Sequence, residues 1–125
     1  KEAYAFNSDL SEWDVSNVEN FQEMFQFART FNADLSQWDT SSAKNLSFMF
    51  DGAVAFNSDL SQWDVSKATS FEDMFEYALA FDQDLSGWCV ASVTSYSDFA
   101  NNARFSFRTD TSKHPPFSDS SETCN

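Results

Sequence analysis

Residues 55–66 read AFNSDLSQWDVS, and residues 5–16 read AFNSDLSEWDVS. Residues 30–40 give TFNADLSQWDT and residues 80–90 give AFDQDLSGWCV. The phrase recurs every 25 residues. Phe6, Phe31, Phe56 and Phe81 form one column, Leu10, Leu35, Leu60 and Leu85 a second, and Trp13, Trp38, Trp63 and Trp88 a third. Later in each unit come Met24, Met49, Met74 and Phe99, then Ala28, Ala53, Ala78 and Ala103. Such a period marks a repeat protein whose units bury their apolar sides against one another.

Within a unit the rhythm changes midway. Leu10, Trp13 and Val15 follow the L-x-x-L-x-L spacing of a leucine-rich-repeat strand. Val18, Phe21, Met24, Phe25 and Ala28 fall three or four apart, as on one helix face. Ser16 followed by Glu19 adds a capping-box pattern. The spacing predicts an α/β solenoid, leucine-rich-repeat-like, of four 25-residue strand–helix coils with a parallel β-sheet on one face. Residues 1–5 read as the end of a preceding repeat. The repeat domain covers 6–105 (6–30, 31–55, 56–80 and 81–105), and 106–125 is a C-terminal cap or linker tail rich in Ser, Thr and Pro.

Composition narrows the function. The 125-residue chain is 42% hydrophobic and 18% aromatic, enough to build a core, with a formal net charge of -13. That charge argues against nucleic acid and anionic membrane surfaces, which need clustered Lys or Arg. No run approaches the length of a membrane span. A cationic protein partner or a divalent cation suits the charge better. For catalysis the supply is poor. The one histidine, His114, stands beside Pro115 and Pro116, and no nucleophile elbow, zinc-ligand or phosphate-loop motif occurs. The chain reads as a non-enzyme.

The carboxylates fall into columns. On a strand with Leu10, Trp13 and Val15 inward, Glu12 and Asp14 point out, as do Gln37 with Asp39 and Gln62 with Asp64. This strand face is the expected partner-binding surface. Asp9, Asp34, Asp59 and Asp84 form a second column at the strand entrance. Stacked carboxylates repel, so turn amides, solvent and salt, or a cation must offset them. Asx-type turns are one reading of the entrance column and calcium ligation is another, since calcium takes several carboxylate and carbonyl oxygens. No cofactor is otherwise implied. Cys89 replaces the Asp of the earlier units. A Cys89–Cys124 disulfide would pin the tail and imply an oxidising compartment, and two free thiols is the alternative.

The stretch FNSDLSQWDVSKATSFEDMFEYALAF (residues 56–81) resembles the repeat of the BspA-like leucine-rich-repeat surface proteins, of the mycoplasma-lipoprotein type. The resemblance runs from Ala3 to about Ala103 and rests on the W-D-V-S and M-F-x-x-A portions. It departs where Phe21, Leu46 and Phe71 replace methionine and where the fourth unit lacks the M-F pair. The likeness implies a secreted or cell-surface protein, with another oxidising or organellar compartment as the alternative, and adhesion to a protein partner. Three functions follow. The first is a non-catalytic interaction or adhesion module that uses the acidic strand face. The second is a structural spacer, or a subunit of a longer array or larger complex, with contacts through its ends and tail. The third is a calcium-binding solenoid.

Overall fold

The computed structural model describes residues 3–117. Among them the only helices are α1, Phe105–Thr109, and a single 3-10 turn, Thr111–Lys113. No strand or sheet forms among the described residues, and inter-unit pairing is limited to isolated parallel bridges linking Asn20, Asn45, Ser70 and Ser95 in succession. The α/β solenoid of strand–helix coils with a parallel sheet is therefore not the fold.

The physical reason lies in where the amides go. A helix over residues 18–28 would send each N–H to the carbonyl four residues back. Instead alternate amides leave the unit. The N–H groups of Phe21, Glu23, Phe25 and Phe27 donate to the carbonyls of Asn45, Ser47, Met49 and Asp51, at 2.8–3.0 Å. The amides between them fold back three residues, Met24 to Phe21, Gln26 to Glu23 and Ala28 to Phe25. Glu23 and Phe27 take φ of 59° and 57°, which a right-handed helix forbids. Chained β-turns place apolar residues three or four apart as readily as a helix does, so the spacing was ambiguous.

The expected strand at Leu10–Val15 is also a run of turns. Trp13 N–H donates to the Leu10 carbonyl and Val18 N–H to that of Val15, at 3.0 and 2.9 Å. The same pair recurs as Trp38–Leu35 with Ala43–Thr40, and as Trp63–Leu60 with Ala68–Val65. L-x-x-W thus marks the two ends of a turn bond.

Residues 25 apart lie against each other through three devices. Aromatic columns form the interior. Phe6–Phe31, Phe31–Phe56 and Phe56–Phe81 stack at 5.7, 5.8 and 5.9 Å between centroids, and Trp38–Trp63 and Trp63–Trp88 at 6.3 and 6.4 Å. Each fully buried Phe contributes about 1.5–3 kcal/mol from burial, and aromatic pairs add about 0.5–1.5 kcal/mol each. The indole N–H groups of Trp38, Trp63 and Trp88 donate to the carbonyls of Leu10, Leu35 and Leu60, all at 2.9 Å. On the outside, Asn7, Asn32 and Asn57 use Oδ1 to accept the amides of Asn32, Asn57 and Asp82 at 2.8–2.9 Å.

The C-terminal end of the core is covered. Phe107 is buried against Phe75 and Phe81, and Phe117 packs on Tyr96 and Phe99. Asp82 ends the asparagine ladder as a charged anchor, accepting from Lys113 Nζ at 2.7 Å and Ser106 Oγ at 3.0 Å. The Lys113 carbonyl takes the Leu85 amide at 2.8 Å. These contacts tie residues 104–113 to the fourth unit.

Candidate interaction face

Each aspartate of the two columns opens a turn of its own. Asp9, Asp34, Asp59 and Asp84 accept through Oδ1 from the amides of Ser11, Ser36, Ser61 and Ser86, each at 2.9 Å. Asp14, Asp39 and Asp64 do the same for Ser16, Ser41 and Ser66 at 3.0 Å. The D-x-S spelling is what makes this local. A short carboxylate reaches the amide two residues on and closes an Asx turn, and serine adds its hydroxyl, as Ser66 does to Asp64 at 2.6 Å.

These bonds decide the electrostatics. Asp39 and Asp14 are held below the ordinary carboxylate range, first by the hydroxyl and then by the amide of the following serine. The same two contacts lower Asp34 and Asp84, and for Asp9 the amide comes first. Repulsion between columnar neighbours is present, Asp9 acting on Asp34 and Asp14 on Asp39, but it ranks behind the hydrogen bonds. The turns offset part of the charge that the columns bring together.

All seven of these aspartates are exposed, and so are Glu12, Gln37 and Gln62. Shallow grooves run between units, one lined by Asn7, Asp9, Ser11, Asn32 and Asp34, another by Asp59, Ser61, Gln62, Asp84 and Ser86. The residues expected on a strand face thus lie on a surface built of turns. Among the described residues no group of three His, Cys, Asp or Glu side chains could hold a metal ion. Asp9, Asp34, Asp59 and Asp84 make a line, one per unit, and do not converge. Cys89 is half-buried, and Cys124, its expected partner, lies outside the described residues.

A second acidic group joins Asp73 and Glu76, which the sequence places on a solvated helical face, to Asp51, which the sequence did not single out. Asp51 is buried and accepts from Gln26 Nε2 at 2.9 Å. Burial raises Asp51; burial and then Asp98 raise Asp73; burial followed by Asp73 and Asp51 raises Glu76. The signal was the column Gln26, Asp51, Glu76, which the period of 25 places together.

These features define a stack of hydrogen-bonded turns with fixed carboxylates along its surface. Residues 1–114 match the family model described as Mycoplasma protein of unknown function, DUF285. The chain belongs to that family. Comparison with curated proteins and with solved structures gives no match.

Proposed function

We propose that the chain is a non-catalytic protein-interaction and adhesion module that presents its aspartate columns to a cationic protein partner. The carrying observation is the ordered charge. Asp9, Asp14, Asp34 and Asp39 each spend Oδ1 on their own turn and stay ionised and exposed. A fixed row of like charges steers a partner of opposite sign and is most effective at low salt. The resemblance of the W-D-V-S repeat to BspA-like surface proteins supports a secreted or cell-surface setting. No helix among the described residues is long and apolar enough to cross a membrane.

The test is a charge-reversed triple variant, Asp14→Lys, Asp39→Lys and Asp64→Lys. Captured partners from the native source are compared with those of the unaltered chain, at low and high salt. Selective loss of a basic partner, with thermal unfolding unchanged, supports the reading. Retention of the same partner by the variant counts against it. The alternative of a spacer that makes contacts through its ends draws support from one feature, the apolar groove among Phe6, Leu10 and Trp13 at the N-terminal end of the described residues.

A further inference from the structure

The two ends of the stack are unlike. The C-terminal end is covered by Phe107 and Phe117, whereas the N-terminal end carries a groove of about 200 Å³ lined by Ala3, Phe6, Leu10, Trp13, Met24 and Phe25. Trp13 is 54% exposed, while Trp38, Trp63 and Trp88 are at 4%, 4% and 2%. The difference is one of neighbours. Each buried indole donates to a leucine carbonyl in the unit before it, and among the described residues Trp13 has no such carbonyl to reach.

The backbone at this end carries a pattern of its own. In the second, third and fourth units four alternate carbonyls accept amides from the unit before. They belong to Asn45, Ser47, Met49 and Asp51, then Ser70, Glu72, Met74 and Glu76, then Ser95, Ser97, Phe99 and Asn101. The equivalent carbonyls of the first unit, those of Asn20, Gln22, Met24 and Gln26, accept no bond among the described residues. The edge therefore presents acceptors in a row, flanked by an indole donor, the amides of Asn7 and Glu19, and an apolar groove. What fits is the opposite side of a unit like these, which supplies alternate N–H groups, a leucine carbonyl and a phenylalanine to stack on Phe6.

We infer that the N-terminal end is a docking site for one further 25-residue unit of the same pattern, joined to Ala3 in the register that now ties Ala28 to Phe31. Ala3 already stands in that register. Its carbonyl accepts the Phe6 amide at 3.0 Å, as that of Ala28 accepts the Phe31 amide at 3.2 Å. The interface continues the one repeated three times within the molecule. It goes beyond the proposed function, since it does not involve the aspartate columns.

A copy of residues 51–75 placed ahead of Lys1 keeps the period and brings a second Trp63 and Phe71 to the site. The expected result is a melting temperature higher by about 5 °C or more. Trp13 emission, taken as the difference between each protein and its Trp13→Phe variant, shifts to the blue. Unchanged melting with Trp13 still accessible to quencher overturns the inference. Sedimentation of the unextended chain gives an independent check: a monomer across concentration agrees with a site shaped for a preceding unit, and a dimer that shields Trp13 from quencher contradicts it.

Discussion

The ring of Phe27 lies so close over Gly52 that a Cβ built on the glycine would sit 2.4 Å from Cδ1 and 2.8 Å from Cε1. Gly52 also has φ of 67°. Phe27 and Tyr77 hold the equivalent left-handed position in their units with side chains, so conformation alone does not demand glycine at Gly52. The close approach does. Gly52→Ala should cost about 2 kcal/mol or more in urea unfolding, from strain plus displacement of the ring. Phe27→Ala in the same chain should recover part of that loss, giving a positive coupling in the double-mutant cycle.

Trp63 sits between Trp38 and Trp88 and donates to the Leu35 carbonyl. Trp63→Ala should lower stability by about 3–5 kcal/mol, as large-to-small changes in a packed core do. Trp13→Ala should cost less than about 1 kcal/mol because most of that side chain is already in water. Equal losses at the two positions would contradict the difference in burial. Chemical denaturation of both variants measures it.

Acid should act in two directions. Asp51, Asp73 and Glu76 have folded pKa values raised above their ordinary 3.8, 3.8 and 4.5. The folded state binds these protons more tightly, so stability falls as pH rises through the window from those ordinary values up to the raised ones. Asp9, Asp14, Asp34, Asp39, Asp82 and Asp84 are lowered. Their contribution is present above the unfolded value and is lost as pH drops below it toward the folded one. The melting temperature should therefore peak in mildly acidic solution. Asp51→Asn should raise it at neutral pH and flatten the fall on the alkaline side of the peak.

Asp82 binds Lys113 directly, and the Lys113 hydrogen bond is the largest cause of its lowered pKa. Asp82→Asn should loosen residues 104–113 from the fourth unit. Hydrogen exchange then quickens at the Leu85 amide, whose acceptor is the Lys113 carbonyl, while amides such as Phe50 and Phe71 deeper in the stack keep their protection. Uniform quickening throughout would mean that the anchor supports the whole molecule.

The period was plain in the sequence because identical residues at 25-residue spacing need no structural assumption. Turns at Asp9, Asp34, Asp59 and Asp84 were one of two readings, since the chemistry is local, a carboxylate and an amide two residues away. Those at Asp14, Asp39 and Asp64 fall where the spacing predicts a strand face and were missed. The secondary structure was not legible. Val18, Phe21, Met24 and Phe25 satisfy a helical spacing, yet the chain closes three-residue turns and sends every second amide to its neighbour. A choice between i−4 and inter-unit acceptors depends on the adjacent unit, which a single-unit pattern does not contain. The same limit hid Trp13. Its residue type matches the other three tryptophans, and the difference in exposure rests on a neighbouring carbonyl that Trp13 does not meet among the described residues.

The alternating amide pattern can be read directly in solution. Scalar couplings across hydrogen bonds, measured by NMR on the isotopically labelled chain, report which carbonyl each amide meets. Couplings from the amides of Phe21, Glu23, Phe25 and Phe27 to the carbonyl carbons of Asn45, Ser47, Met49 and Asp51 are the predicted result. Couplings from Phe25 to Phe21 and from Ala28 to Met24, the signature of a helix, would contradict it.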